Sequence, residues 1–173
     1  LTLKNPLQEK MVYTVTVDNK PCDCVGNKIE ANVVSIALPL EAVPGDIIIN
    51  EILFDPYPGG VDFVEIFNRS DKTIDLKTIV LCHYDSVQHI VSSIERISDE
   101  GYLMFPGTYK LLTENTGIVK QQYVVQDPNA LIEVQNLPTL NADKGDVALK
   151  TVNEIIDFFM YNYVMNSFYI IIH

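Results

Sequence analysis

The sequence predicts an all-β sandwich, and three observations carry that expectation. Short runs rich in β-branched and aromatic residues recur along the chain, Gly, Pro, Asn and Asp punctuate them, and no window sustains a 3.6-residue apolar period over three turns. The clearest unit spans residues 45–70. There Ile47, Ile48, Ile49 and Ile52 face Phe63, Val64, Ile66 and Phe67 across a linker of Asp55, Pro56, Tyr57, Pro58, Gly59 and Gly60, which is the signature of an antiparallel pair joined by a turn loop. The rest of the chain reads as strands added to that pair.

In order, residues 11–17 form a β-branched strand, and Asp18, Asn19, Lys20 and Pro21 turn the chain. Asp23, Gly26 and Asn27 make another turn before 29–38 resumes the strand pattern, and Pro44 and Gly45 mark a linker. After the hairpin, Asp71 and Lys72 turn into a strand over 73–82, followed by strands at 87–97, 102–105, 109–113, 119–125 and 131–134. Residues 92–100 are the one stretch where a helical turn is expected. A loop at 137–145 leads into a last hairpin, 146–151 with 153–163.

A chain of 173 residues with 47% hydrophobic side chains can bury one substantial core. Its net charge of -11, with Lys and Arg scattered singly, disfavours nucleic acid and anionic membrane surfaces as partners. Cys22 and Cys24 stand too close to pair easily with each other; either one of them bridges to Cys82, or all three are reduced or have partners elsewhere. Residues 1–10 lack a signal-peptide pattern, and the start reads like a cut within something larger. Residues 155–172 are strongly apolar, but Asp157, Asn162, Asn166 and Ser167 interrupt them, so strands are expected there and membrane insertion is not.

Two resemblances add to this reading. Tyr13, Thr14, Val15, Thr16 and Val17, followed by Asp23, Gly26 and Asn27, are similar to the closing strands of bacterial Ig-like domains. From Asp46 onward the chain resembles the lamin-tail domain, bacterial branch. The resemblance rests on Ile49, Asn50, Glu51 and Ile52; on the run from Asp62 to Ser70; on Ile74, Asp75 and Leu76; on Pro106, Gly107, Tyr109, Leu111, Leu112 and Thr113; and on Leu140, Asn141, Gly145, Asp146, Val147, Ala148 and Leu149. It implies an Ig-like β-sandwich over 45–163, preceded by the C-terminal remnant of an Ig-like module plus linker over 1–44 and followed by an atypical apolar tail, 164–173. The remnant is expected either to pack on the next domain or to stay an exposed arm. Where the family carries a Trp shortly after Leu76, this chain has Lys77, Thr78, Ile79 and Val80, and an aliphatic side chain is expected to fill the space.

The first hairpin also holds the best candidates for a site. If Ile52 lies opposite Val64, Glu51 and Glu65 face each other, and such a like-charge pair calls for a cation or a shared proton. With Asp55 and Asp62 they form a candidate calcium set; the competing reading is that they accept hydrogen bonds from loop amides or from Arg69. Tyr57, between two prolines at the loop tip, is either a recognition residue or a lid packed on the sandwich end. His83 and His89 lack a second pair of zinc ligands, and Ser86 beside Asp85 lacks the strand-turn-helix elbow of a nucleophile. Asn68-Arg69-Ser70 fits the N-glycosylation pattern, but Asn68 is expected to tie the strand end to its turn.

No catalytic residue, cofactor or resident metal is called for. The resemblance implies a noncatalytic structural, adhesive or partner-binding module of a bacterial secreted or cell-surface protein. Its expected partners are neighbouring domains of the same polypeptide and a protein or glycan, not nucleic acid. The alternative is an accessory substrate-binding or anchoring domain of a larger extracellular nuclease or phosphoesterase, and a third reading has the acidic cluster itself perform metal-dependent hydrolysis.

Overall fold

The computed structural model describes residues 3–17, 22–28 and 33–162; the turn expected at 18–21, the start of the strand read over 29–38 and the tail 164–173 lie outside them. The described strands are β1 (Val12–Thr16), β2 (Val33–Ala37), β3 (Ile47–Leu53), β4 (Phe63–Asn68), β5 (Ile74–Asp75), β6 (Val80–Asp85), β7 (Ile90–Arg96), β8 (Leu103–Met104), β9 (Tyr109–Thr113), β10 (Leu131–Glu133), β11 (Lys144–Lys150) and β12 (Ile155–Asn162). One short helix, α1 (Thr116–Gln122), interrupts them.

Two four-stranded sheets form the body, ordered β10-β9-β4-β3 and β12-β11-β6-β7. Alternation along each strand sends one set of side chains inward. Val64, Ile66 and Leu112 of the first sheet thus share one buried cluster with Leu81, Val147 and Leu149 of the second. The two-stranded β5-β8 ladder adds Ile74 and Met104 to that core. Leu76 and Ile79 are also buried in it. Each such side chain withdrawn from water contributes roughly 1.5–3 kcal/mol before the entropy of ordering is charged against it.

Three expected elements are corrected. Residues 119–125 are not a strand: Asn115 caps a helix by accepting from the Ile118 amide at 3.1 Å, and the chain leaves it at Tyr123. Residues 92–100 do not begin a helical turn, because β7 runs through Arg96 in antiparallel pairing with β6. The strand expected over 73–82 is split, since the Asp75 side chain accepts from the Lys77 amide and caps a turn of 3-10 helix, Leu76–Thr78.

The ribbon β1-β2 stands largely exposed, but its base does not. The Leu40 amide donates to the Thr73 carbonyl at 2.9 Å, the Gly45 amide donates to Ile156 at 2.8 Å, and Ala42 is buried in the main core. Cys22, Cys24 and Cys82 are free thiols; the first two are exposed and Cys82 is buried.

A polar knot holds the end of β4. Asn68 is fully buried, its side-chain amide donates to the carbonyls of Lys72 and Met104, and its Oδ1 accepts from the Ser70 amide and hydroxyl. Its backbone closes onto Gly107 and Thr108, where Gly107 adopts a positive φ of 69°. Residues far apart in sequence that carry the family resemblance therefore meet at one structural point. With that many partners orphaned in the interior, Asn68→Ala should cost about 2–4 kcal/mol in urea unfolding. A loss under about 1 kcal/mol would show that the knot is dispensable.

Candidate functional site

The outer face of the first sheet begins from a bulge. Ile49 lies opposite Ile66 and Glu51 opposite Glu65, with the register shift between them falling at Asn50. Val64 and Ile66 belong to the core between the sheets, so Phe63 and Glu65 point the other way, where Phe63 joins Leu53, Leu111 and the α1 residue Val119 in a second buried cluster. Glu65 is only 1% exposed and accepts from the Asn50 side-chain amide at 2.7 Å. Glu51 is half-buried beside it.

The loop from Asp55 to Asp62 rises from the end of this face. The Gly60 amide donates to the Tyr57 carbonyl at 2.7 Å, and a Cβ on Gly60 would stand 2.8 Å from both that carbonyl oxygen and the Pro56 Cβ. Glycine is therefore required there. Tyr57 is 66% exposed, yet its ring stacks on Tyr123 at 5.9 Å and 24°, and Tyr123 meets Phe63 edge-on at 6.0 Å and 89°. Burial raises the Tyr123 hydroxyl above its ordinary acidity range. Tyr123 follows a segment, Thr116 to Val119, whose Gly and β-branched residues do not favour a helix, so Asn115 as an N-cap residue is the local signal for its placement.

Asp62 sits half-buried where this loop enters β4. Burial, then the negative charges of Glu114 and Asp55, push its carboxyl up to about 6. Behind the loop Phe54 stacks on Tyr161 at 4.3 Å, and Tyr161, pressed against Gly145, is raised to about 12 by burial and by Asp62.

The expected acidic set is thus divided: Glu51 and Glu65 adjoin across β3 and β4, while Asp62 groups with Asp55 and Glu114. Among the described residues no group of three or more His, Cys, Asp or Glu is placed to hold a metal ion. The His83 Nδ1 meets the Asp146 carbonyl oxygen at 2.8 Å, whereas the His89 Nδ1 meets the Tyr84 hydroxyl at 2.8 Å, so the two imidazoles serve separate contacts. The Asp85 carboxylate accepts from the Val87 and Gln88 amides, which holds its pKa low and spends it on a turn rather than on a histidine. Asn68, buried with its amide nitrogen donating inward, is unreachable for glycosylation in the folded chain.

Two facing sheets, antiparallel except where β10 joins β9 in parallel, with loops and outer faces left for contact, define an Ig-like β-sandwich module. The chain belongs to the lamin tail domain family, whose model matches residues 41–163. That family is a noncatalytic Ig-like fold. No curated protein matches the chain.

The raised Asp62 carboxyl makes a signed prediction. Between its unfolded value near 4 and its folded value of about 6, the folded state keeps the proton that the unfolded chain has released, so this group's contribution to stability falls as pH rises through that window and is level above it. Asp62→Asn should raise stability at pH 7 by on the order of 1–2 kcal/mol, allowing for solvent screening at a half-buried group, and should flatten that decline in urea titrations. Gly60→Ala, read by thermal melting, should destabilise by about 1–3 kcal/mol through the clash with the Tyr57 carbonyl.

Proposed function

We propose that this lamin tail module is a noncatalytic structural and partner-binding domain of a bacterial secreted or cell-surface protein, and that it contacts its partner through the Tyr57 end of the sandwich. The observation that carries the reading is the posture of Tyr57. An exposed ring ordinarily samples several rotamers, and fixing it on contact costs entropy; here stacking on Tyr123 has already met that cost. A preorganised aromatic at a loop tip is what a contact surface needs and what a packed core does not.

The flanking segment supports a role beside neighbouring domains. The ribbon β1-β2 leaves Val12, Val33 and Val34 exposed on two strands, while the base at 40–45 is hydrogen-bonded to the sandwich. A two-stranded ribbon is marginal alone, so residues 1–44 are read as the C-terminal part of a preceding Ig-like module that a neighbouring domain completes. The resemblance to the bacterial branch is what supports reading the module as an envelope or secreted one.

Sedimentation of the labelled full chain with envelope fragments of the producing cell tests the reading. The chain should be retained, and Tyr57→Ala, with an unchanged melting temperature, should lower retention at least about fivefold, the equivalent of one lost aromatic contact. Equal retention of the two would remove this loop from the contact surface, and turnover of a phosphoester by the chain alone would end the noncatalytic reading.

A further inference from the structure

Each outer edge of the two body sheets is spoiled for pairing with another chain, and the edges of the β1-β2 ribbon are not. The body sheets end in β10, β3, β12 and β7. Register shifts interrupt the ladders of β3, β12 and β7, and β10 is 3 residues long. Each of the four also carries a charged residue: Glu133 on β10, Glu51 on β3, Asp157 on β12, and Glu95 and Arg96 on β7. Bulges, short strands and charges are the means by which sheets keep an edge from joining a neighbour. The ribbon has none of them. Its pairs, from Val12 with Ala37 to Thr16 with Val33, run without a shift over 5 residues a strand, and the two strands contain no Pro, Lys, Arg, Asp, Glu or His. Alternation and register place Tyr13, Val15, Val34 and Ile36 on one side of it. Among the described residues no third strand joins the ribbon. β2 is committed at its far end, where Ala37 is buried and the Leu40 amide bonds to Thr73, so β1 offers the freer edge.

We propose that β1 is a self-association edge, which pairs antiparallel with β1 of a second copy and completes the ribbon as a four-stranded sheet in the order β2-β1-β1-β2. The inference rests on the reading above that the ribbon needs added strands, and it names a second copy as their source. The sequence of β1 is self-complementary about Thr14. Laid antiparallel on itself, Val12 meets Thr16, Tyr13 meets Val15, and Thr14 meets Thr14. Aromatic with β-branched and Thr with Thr are the pairs that stabilise cross-strand contact. Tyr13, Val15, Val34 and Ile36 of both copies then make one continuous apolar face. The contact is two-fold symmetric, so a single patch serves both partners. Charge also favours this strand: two chains of net charge -11 repel, and an uncharged edge is where they approach with least opposition. Antiparallel pairing further sets the base of one ribbon beside the tip of the other, which puts the two acidic sandwiches at opposite ends of the shared sheet. Five residues a side bury less than a standard interface, so the association is a weak one.

Sedimentation equilibrium of the full chain, at concentrations reaching on the order of 100 μM, tests the proposal. The weight-average mass should climb from one chain toward two, and should climb further at higher salt, because screening relieves the repulsion between the acidic bodies. Thr14→Lys and Thr14→Glu, each with an unchanged melting temperature, should weaken self-association at least about tenfold by setting like charges opposite one another. An equimolar mixture of these two variants should recover the parent's association to within about threefold, since the opposed charges then attract. Val87→Lys should leave association unchanged: it lies in the exposed β6–β7 turn, at the end of the sandwich away from the ribbon's base, which is bonded to Ile156 near the paired Lys150 and Val80. A parent that stays at one chain overturns the proposal and leaves the ribbon to a domain of the same polypeptide. Thr14 variants that associate as the parent does, or a mixture that recovers nothing, overturn it equally. If the chain is a monomer and its ribbon also resists limited proteolysis as well as the sandwich does, the reading that the ribbon needs added strands falls too.

Discussion

The rest of the structure depends on the closing of two sheets over one shared aliphatic layer. Val64 and Ile66 on β4 and Leu112 on β9 have no other way to leave water than to meet Leu81, Val147 and Leu149 on β6 and β11. That requirement fixes the register of every central strand, because a slip of one residue would turn each of these side chains outward. The ladder partners confirm it: Val64 lies between Ile52 and Leu112, and Leu149 faces Leu81. Asn68 then fastens the end of β4 to the β8–β9 turn, so the strand at the centre of the first sheet is held by packing along its length and by hydrogen bonds at its tip.

With the inner faces spent, chemistry is left to outer faces, edges and loops. On the first sheet the outer face is partly covered by α1, which buries Phe63 and Leu111 and leaves Glu65 enclosed beside Asn50. The helix also delivers Tyr123 to the spot where Tyr57 needs a ring beneath it. On the second sheet the edge strand β7 is broken by a register shift opposite Leu81–His83, with Ser93 at a φ of 48°. Bulges of this kind spoil an edge for pairing with another chain, and so offset the exposure of Ile90 and Ile94 there.

Much of this was legible in the sequence because strand physics is local in its periodicity. The β3-β4 hairpin follows from alternation and a turn loop, whereas the register that sets Ile52 opposite Val64, and with it Glu51 opposite Glu65, is a condition at sequence level that the ladder meets. Helix α1 was not legible by the same rule. Seven residues make two turns, too few for an apolar period to declare itself, and Ile118 and Val119 carry strand propensity that tertiary packing overrode. The grouping of Asp62 with Glu114 was illegible for a different reason: it is created by the pairing of β4 with β9, whose partners lie about fifty residues apart. Proximity of that sort is written in the fold and not in any window of the chain.

Native-state hydrogen exchange followed residue by residue tests the central claim most directly, since it measures which amides are released only when the whole sandwich opens. The account predicts that Val64, Ile66, Leu112, Leu81, Val147 and Leu149 exchange together at the slowest rate, while β1 and β2 exchange through a separate, much cheaper opening. Fast, independent exchange of β4 and β11, or protection of the ribbon equal to theirs, would contradict a fold held by one aliphatic layer between two sheets.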